Sequence, residues 1–196
     1  MQLLFATSNQ NKAIEINATL PDNFTVLSLR DIFQENIDVD EPYATLVENA
    51  MHKAHTYAQL SGMNCFSEDT GLEVFALHGE PGVKSARYAG EPSDPQKNIE
   101  LLLSNLSNTK DRSAQFRTVI ALYMDGITHT FEGICTGSII TVQKGANGFG
   151  YDPVFIPTGA DKTFAEMTLE EKNTFSHRRK ALEKMLALFR TNIFNP

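Results

Sequence analysis

Apolar and polar residues alternate along the first part of the chain in a way that predicts strands and helices in succession. Residues 2–6 form an apolar run of the length of a β-strand, and a polar turn follows directly. Behind the turn, Ile14, Ile16 and Leu20 are the apolar positions of a predicted helix. A second strand is predicted over residues 24–29. The chain therefore begins as an α/β protein.

A longer helix is predicted to begin at Thr45, because Thr45 and Glu48 form a capping box. Gly62 ends it, since glycine tolerates the left-handed conformation at which helices stop. Asn49 and Lys53 lie four residues apart and share a face that could point into a cleft. A solvated lysine face is the alternative. The broad apolar side of the helix carries Leu46, Ala50, Ala54, Tyr57 and Ala58.

Two adjacent carboxylates, Glu68 and Asp69, close a short apolar run near the middle of the chain. Thr70-Gly71 then interrupts the run, and residues 72–77 are predicted to form another extended piece. Carboxylates at a strand end can hold a magnesium ion while the strand fixes their position. The alternative is that the pair only forms a solvated turn.

The second half of the chain combines packing signals with one unusual loop. Asp94-Pro95 begins a helix with a leucine stripe, and Asp125-Gly126 between two apolar runs predicts a β-hairpin. Residues 145–153 bring together three glycines, two aromatic residues and an acid. The glycines would let the backbone approach a flat ligand, and an exposed aromatic could stack on a base. A hairpin turn with a buried aromatic is the alternative.

The C-terminal segment predicts two helices. A second capping box, starting at Thr168, begins the first helix. Lys172 and His177 are five residues apart, so on one ideal helix they would diverge by about 140°. We therefore predict a break at Ser176 and a second helix from there to about residue 189. The break leaves His177 and the arginine after it at a helix N-terminus, which suits an anion or a base edge.

Length and composition limit the class of protein. A chain of 196 residues fits one compact domain with a real core. The net charge of −7 argues against a polymeric nucleic acid as partner, but not against a small phosphorylated ligand. Cys65 and Cys135 lack metal-type spacing and are expected to be reduced core residues. Without a membrane-length apolar run or a signal-like start, we expect a cytoplasmic protein that does not bind membranes.

Five motifs follow one another in a fixed order along the chain, and together they are more informative than any one of them. They are T-S-N-Q-N-K after the first strand, E-N-A-M-H-K-A on the long helix, S-E-D-T-G-L-E-V-F-A-L with P-G-V-K-S-A-R-Y-A-G, then G-F-G-Y-D-P-V-F, and finally E-K-N-T-F-S-H-R-R-K-A-L. In this order and spacing they closely resemble the inosine triphosphate pyrophosphatase family, also known as Ham1-like proteins. The resemblance covers residues 4–186.

The resemblance implies an α/β fold with a long, curved, mixed β-sheet flanked by helices. It implies one domain over residues 1–196, with two lobes and a central substrate cleft. Members are usually homodimers that use Mg²⁺. They hydrolyse inosine, deoxyinosine and xanthosine triphosphates (ITP, dITP and XTP) to the monophosphate and pyrophosphate. This reaction removes non-canonical nucleotides from the nucleotide pool. Since such a substrate carries about four negative charges, an acidic protein needs local cations and a metal to hold it.

The resemblance also implies roles for individual residues. Asp69 is implied as catalytic base and metal ligand, and the turn over residues 7–12 is implied to cradle phosphates. Phe149 is implied to stack on the base. Lys53 joins this set as a candidate phosphate contact. The predicted substrate contacts are Thr7, Ser8, Asn9, Gln10, Asn11, Lys12, Lys53, Thr70, Phe149, Gly150, Tyr151, Asp152, Lys172, His177 and Arg178.

Some alternatives stay open. Glu68 and Thr70 stand where many bacterial members have Asp and Ser, and both changes keep the functional group. A second metal-side carboxylate is expected before the long helix, and either Asp40 or Glu41 could supply it. Two rival functions are a nucleotide-binding sensor and a phosphatase that removes only the terminal phosphate. Loss of the Asp69 carboxylate would indicate the sensor, but the carboxylate is present.

Overall fold

A computed structural model describes residues 2–21, 23–35 and 37–193, with side chains described up to residue 190. The strands are β1 (Gln2–Phe5), β2 (Thr25–Ser28), β3 (Cys65–Val74), β4 (Pro81–Gly82), β5 (Ser113–Met124), β6 (Ile127–Ile139) and β7 (Phe155–Pro157). The helices are α1 (Gln10–Asn17), α2 (Leu29–Ile32), α3 (Leu46–Ser61), α4 (Pro95–Asn105), α5 (Leu169–Phe175) and α6 (His177–Ile193).

These strands form one mixed sheet. Its order is β2-β1-β3-β5-β6-β7, and β4 pairs with β3 beside this path. β1 is parallel to both β2 and β3, whereas β3 with β4 and β6 with β7 are antiparallel. The predicted α/β class with a mixed sheet is confirmed. Among the described residues, no helix combines the length and apolarity needed to cross a bilayer.

The chain divides into two compact units. The first unit contains the described parts of Met1–Asp69, Thr118–Gly133 and Arg178–Pro196, and the second contains Thr70–Arg117 and Ile134–His177. β3, β5 and β6 each pass from one unit into the other along the chain.

Each unit has its own apolar core. In the first unit, one cluster joins β1, β3 and β5 to α6, and a second cluster packs β1 and β3 against α3. In the second unit, a cluster joins β3, α4, β5 and β6 to the loop over residues 145–153 and to β7. Cys65 and Cys135 are both buried in these cores, as predicted.

The residues that cap and end these helices lie where the sequence predicts them. The Thr45 hydroxyl accepts from the N–H of Glu48 at the start of α3, and Gly62 ends that helix with φ 69°. The Asp94 carboxylate caps α4. A break at Ser176 separates α5 from α6.

β3 differs from the prediction because it runs unbroken through Thr70 and Gly71. Glycine is needed there for close packing rather than to end the strand, since a Cβ on Gly71 would lie 2.6 Å from the carbonyl oxygen of Gly82. Glu68 and Asp69 therefore lie within a strand and not at its end. The predicted extended piece over residues 72–77 ends at Val74, after which the chain forms a 3₁₀ turn.

Two helix predictions need smaller corrections. On α1, Ile16 is fully buried but Ile14 is 57% exposed, and Leu20 lies beyond the helix. The two isoleucines are two residues apart and therefore point to different sides of the helix. α6 continues to Ile193, four residues past the predicted end.

Candidate active site

Glu68 and Asp69 point to opposite faces of the sheet, because successive side chains of a strand alternate. Their apolar neighbours identify the faces: Phe66 packs in the cluster with α6, and Cys65 packs in the cluster with α3. Glu68 accordingly pairs with a guanidinium of α6, whereas Asp69 approaches Lys53 of α3. The predicted carboxylate pair is thus divided between two sites within the first unit.

A buried charge network surrounds Glu68. The Arg178 guanidinium donates twice to this carboxylate, from Nε to Oε2 at 2.7 Å and from Nη2 to Oε1 at 2.8 Å. Lys12 Nζ lies 3.1 Å from Oε1 of the same carboxylate, and Arg178 also donates to Glu15. Glu68 and Arg178 are only 1% and 2% exposed. These two cations and two carboxylates balance, so the four side chains carry no net charge.

The network fixes the protonation state of Glu68. Burial would raise the pKa of this carboxyl, but the Arg178 guanidinium and the Lys12 ammonium outweigh burial and lower that pKa to about 2. Burial likewise disfavours the charge on Arg178, yet Glu68 and Glu15 raise the pKa of the guanidinium above its ordinary value. Glu68 is therefore too weak a base to take a proton from water at neutral pH.

The opposite face of β3 carries a second charged group around Lys53. Lys53 Nζ pairs with Glu41, lies 3.7 Å from Asp69 Oδ1, and donates to the backbone oxygen of Glu68 at 2.9 Å. Lys53 and Asp69 are both buried. Two carboxylates against one ammonium leave this group with a net charge of −1, in contrast to the neutral network around Glu68.

Of the two carboxylates left open, Asp40 and Glu41, it is Glu41 that contacts Lys53, so the geometry favours Glu41 as the candidate. Glu41 shares Lys53 with Asp69, whereas Asp40 is exposed. Carboxylate oxygens are the ligands that magnesium prefers, so Glu41 and Asp69 fit such an ion. Among the described residues, no group of three or more His, Cys, Asp or Glu side chains could hold a metal.

The polar turn before α1 is organised by its own side chains. Asn9 caps the helix, because its Oδ1 accepts from the N–H groups of Asn11 and Lys12 at 3.0 and 3.3 Å. The Thr7 hydroxyl accepts from the N–H of Asn9 at 3.2 Å. The turn thereby directs Lys12 from the first turn of α1 towards Glu68. Ser8 and Gln10, the other predicted contacts here, are exposed.

The second unit holds a separate group of predicted contacts around Asp152. Its Oδ2 accepts from the N–H of Phe149 at 2.9 Å and from Lys172 Nζ at 2.6 Å. The same ammonium lies 5.1 Å from the centre of the half-buried Phe149 ring and 5.2 Å from that of Phe164. A Cβ on Gly148 would lie 2.1 Å from Asp152 Oδ2, so the loop needs glycine at this point.

The remaining predicted contacts have varied surroundings. Tyr151 is 4% exposed and its hydroxyl donates to a backbone oxygen at 2.9 Å, so its ring belongs to the core. The buried ring of His177 stacks on Phe116, with ring centres 4.9 Å apart. Thr70 and Gly150 are half-buried.

The predicted contacts therefore fall into two sets, one in each unit. The first unit holds Thr7, Ser8, Asn9, Gln10, Asn11, Lys12, Lys53, Asp69 and Arg178 with Asp40 and Glu41, and the second holds Thr70, Phe149, Gly150, Tyr151, Asp152, Lys172 and His177. Sequence reasoning missed Glu15, which holds Arg178. Its spacing of three from Lys12 on one helix was the only available signal, and a weak one.

Comparisons with known proteins agree along nearly the whole chain. The Ham1 family model matches residues 3–188. The dITP/XTP pyrophosphatase of Flavobacterium johnsoniae is 50% identical over 190 residues, which cover 96% of this chain and 97% of that protein. The solved Ham1 protein of Staphylococcus aureus has a TM-score of 0.88 and 40% identity, covering 98% of this chain and all of that one. A Ham1 protein from Coxiella burnetii also has a TM-score of 0.88, at 33% identity, covering 97% and 99% of the two chains.

Lysine and arginine side chains placed to meet phosphate charge are typical of enzymes that act on phosphorylated substrates. Within that class, the family match and the solved structures agree on one group. The chain belongs to the Ham1 family.

Proposed function

We propose that this protein is a nucleoside triphosphate pyrophosphatase that hydrolyses ITP, dITP and XTP to the monophosphate and pyrophosphate. The group formed by Glu41, Lys53 and Asp69 carries the proposal. It combines an ammonium for phosphate oxygens with two carboxylates and a net charge of −1 for a divalent cation. Full-length similarity to proteins named dITP/XTP pyrophosphatase supports this choice of substrate.

In this proposal, Glu41 and Asp69 would hold Mg²⁺, which neutralises phosphate charge and orients the triphosphate when bound. Lys12 and Lys53 bind phosphate oxygens in exchange for part of their pairing with carboxylates. Asp69 accepts a proton from the water that attacks the phosphorus nearest the sugar. The bond from that phosphorus to the bridging oxygen breaks, and pyrophosphate leaves with the electron pair.

Recognition of the base is assigned to the second unit. Phe149 stacks on the purine, and Asp152 holds the loop that presents it by accepting the N–H of Phe149. The ion pair of Asp152 with Lys172 holds the loop next to α5. His177 is the proposed donor to the six-oxo group that distinguishes hypoxanthine and xanthine from adenine.

Hydrolysis of ITP in oxygen-18 water tests the bond that breaks. The label should appear in inosine monophosphate and not in pyrophosphate, because water attacks the phosphorus nearest the sugar. Mass spectrometry of the products measures this directly, and Asp69→Asn protein purified in parallel controls for contaminating enzymes. Orthophosphate and a diphosphate as first products would identify the rival phosphatase, and binding without products would identify the sensor.

Several features stay predictions within this proposal. They are a homodimer, one domain over residues 1–196, a cytoplasmic location, and the absence of polymeric nucleic acid or membrane among the partners. Sedimentation of the purified protein at several concentrations tests the first of them.

A further inference from the structure

The Glu41 carboxylate lies in a segment that has no helix or strand of its own. Residues 40–45 precede α3, and most of them are exposed. The Tyr43 side chain, two residues after Glu41, is 44% exposed. An irregular, exposed segment samples many conformations unless other bonds fix it. A carboxylate that must meet a metal ion therefore needs support from elsewhere.

Asn49 supplies that support at two points. Its Oδ1 accepts from the N–H of Tyr43 at 2.9 Å, and its Nδ2 donates to the carbonyl oxygen of the same residue at 3.1 Å. Asn49 is 1% exposed, so its amide is held in the interior while it bonds the exposed segment. A side-chain amide that satisfies both backbone groups of one residue fixes the position and the direction of the chain there.

The helix that carries Asn49 is itself fixed to the strand that carries Asp69. Lys53 Nζ donates to the backbone oxygen of Glu68, and the Ser67 hydroxyl donates to the backbone oxygen of Ala50. Asn49 and Lys53 lie one turn apart on the same face of α3. The helix therefore holds the segment before it twice, at Tyr43 through Asn49 and at Glu41 through Lys53.

We propose that Asn49 is a positioning residue that sets the distance between the Glu41 and Asp69 carboxylates for a divalent cation. The inference rests on the proposed function, because it takes Glu41 as a metal ligand. Asn49 acts through the backbone of Tyr43 and does not touch substrate or metal. Residues that orient metal ligands in this way are typically worth ten- to a hundredfold in metal affinity.

Binding of Mn²⁺ in place of Mg²⁺ tests the inference without turnover. Free Mn²⁺ is measured by electron paramagnetic resonance during titration of the protein. Asn49→Ala should weaken Mn²⁺ binding about tenfold and raise the Mg²⁺ concentration for half-maximal ITP hydrolysis by the same factor, with a much smaller change in kcat at saturating Mg²⁺. Asn49→Ser provides a second variant with a polar group in the buried site, should Asn49→Ala fold poorly.

Two controls separate positioning from general stability. Asn98 is also buried and clamps a backbone at two points, from Ala89 N–H to its Oδ1 at 2.7 Å and from its Nδ2 to Ala86 O at 2.9 Å. Asn98→Ala should lower the unfolding temperature in a similar way and leave Mn²⁺ affinity unchanged. Tyr43→Phe should also keep Mn²⁺ affinity, because Asn49 binds only the backbone of Tyr43.

Glu41→Gln separates this inference from the proposed function. If Glu41→Gln leaves Mn²⁺ affinity unchanged, Glu41 is not a metal ligand and the metal assignment fails. If Glu41→Gln weakens binding but Asn49→Ala does not, only the positioning role is overturned. Adding Asn49→Ala to Glu41→Gln should weaken binding no further, and an additive loss in the double variant would also overturn the inference.

Discussion

At the scale of single residues, β3 places two neighbouring carboxylates in different surroundings. Glu68 faces Arg178 and Lys12 in a neutral, buried network, and its pKa near 2 keeps it ionised. Asp69 faces Lys53 in a group with a net negative charge. Loss of the Asp69 charge should therefore affect the chemistry, whereas loss of the Glu68 charge should affect the stability of the fold.

The Asp69→Asn substitution should lower ITP turnover by roughly a hundredfold or more. Asparagine keeps the shape but cannot accept the proton of the attacking water and is a weaker metal ligand. Steady-state kinetics at saturating Mg²⁺ measures the loss, and an unchanged near-ultraviolet circular dichroism spectrum shows that the fold is intact.

Glu73→Gln is the matched control for Asp69. Glu73 lies on the same strand and the same face, four residues further along, and accepts from Gln115. The control should keep most of its turnover. Retention of more than about a tenth of the wild-type rate in Asp69→Asn would exclude the assigned role, since general base catalysis alone is worth a hundredfold or more.

The lowered pKa of Glu68 predicts how the free energy of unfolding depends on pH. Its folded pKa of about 2 is lower than the value of 4.5 expected for an unfolded chain. A lowered folded pKa stabilises the protein above the unfolded pKa, and this stabilisation is lost as the pH falls towards the folded pKa. A shift of this size corresponds to about 3 kcal/mol of unfolding free energy.

The wild type should therefore have a higher free energy of unfolding than Glu68→Gln. This difference should be largest above about pH 4.5 and should decrease as the pH falls from there towards 2. Urea unfolding at a series of pH values measures it. Glu35→Gln, which removes an exposed carboxylate, should show a small difference at every pH. A wild-type advantage over Glu68→Gln that is constant with pH would contradict the assigned ion pairs.

At the scale of elements, the loop over residues 145–153 and α5 are joined, and base recognition is proposed for this part of the second unit. Asp152 joins them, because it accepts from the Phe149 backbone in the loop and from Lys172 on α5. The break at Ser176 then begins α6 at His177, whose ring is held against Phe116. Stacking and hydrogen bonding to a base are thus assigned to different side chains of this unit.

The two assignments predict different effects on selectivity. His177→Ala should narrow the ratio of kcat/KM for ITP to that for ATP, because a donor to the six-oxo group would face the amino donor of adenine. Phe149→Ala should weaken both substrates alike, since stacking hardly distinguishes purines. Specificity constants for both nucleotides test this, with Phe75→Ala as a control at an exposed aromatic of the same unit. An unchanged ratio in His177→Ala would exclude base reading by that residue.

A substitution of Arg178 would change the stability of the fold as well as any recognition of the base. Its guanidinium is fully occupied with the carboxylates of Glu68 and Glu15 in a buried site. Arg178→Ala would leave two buried carboxylates without this cation, and breaking such a pairing costs about 3–5 kcal/mol. Loss of stability would therefore obscure any change in selectivity.

At the scale of the whole molecule, the distribution of charge matters more than its sum. The protein has a net charge of −7, and the lysines and the arginine among the predicted substrate contacts are each paired with a carboxylate: Lys12, Lys53, Lys172 and Arg178. A highly charged substrate must then exchange some of these pairs, and a divalent cation lowers the cost by neutralising part of its charge. The acidic protein can bind an anion because its cations are concentrated at a few buried points.

Features whose signals lie within a few residues of one another could be predicted from the amino-acid pattern. The caps at Thr45 and Thr168, the stop at Gly62 and the hairpin at Asp125-Gly126 are local bonds or backbone conformations, so the pattern predicts them. The order of the five motifs was also enough to identify the family, which the family model confirms. Asp125 and Gly126 have φ of 50° and 83°, as a tight hairpin turn requires.

The pairing of charged groups could not be predicted in this way, because the partners come from distant parts of the chain. Arg178 pairs with Glu68 across 110 positions and with Glu15 across 163, and no local pattern encodes such separations. The pairing of Glu41 with Lys53 follows from the place of Lys53 on α3, and the separation of Glu68 from Asp69 follows from an unbroken β3. Each depends on how distant segments pack, because burial and pairing of charges are properties of the folded chain and not of its local sequence.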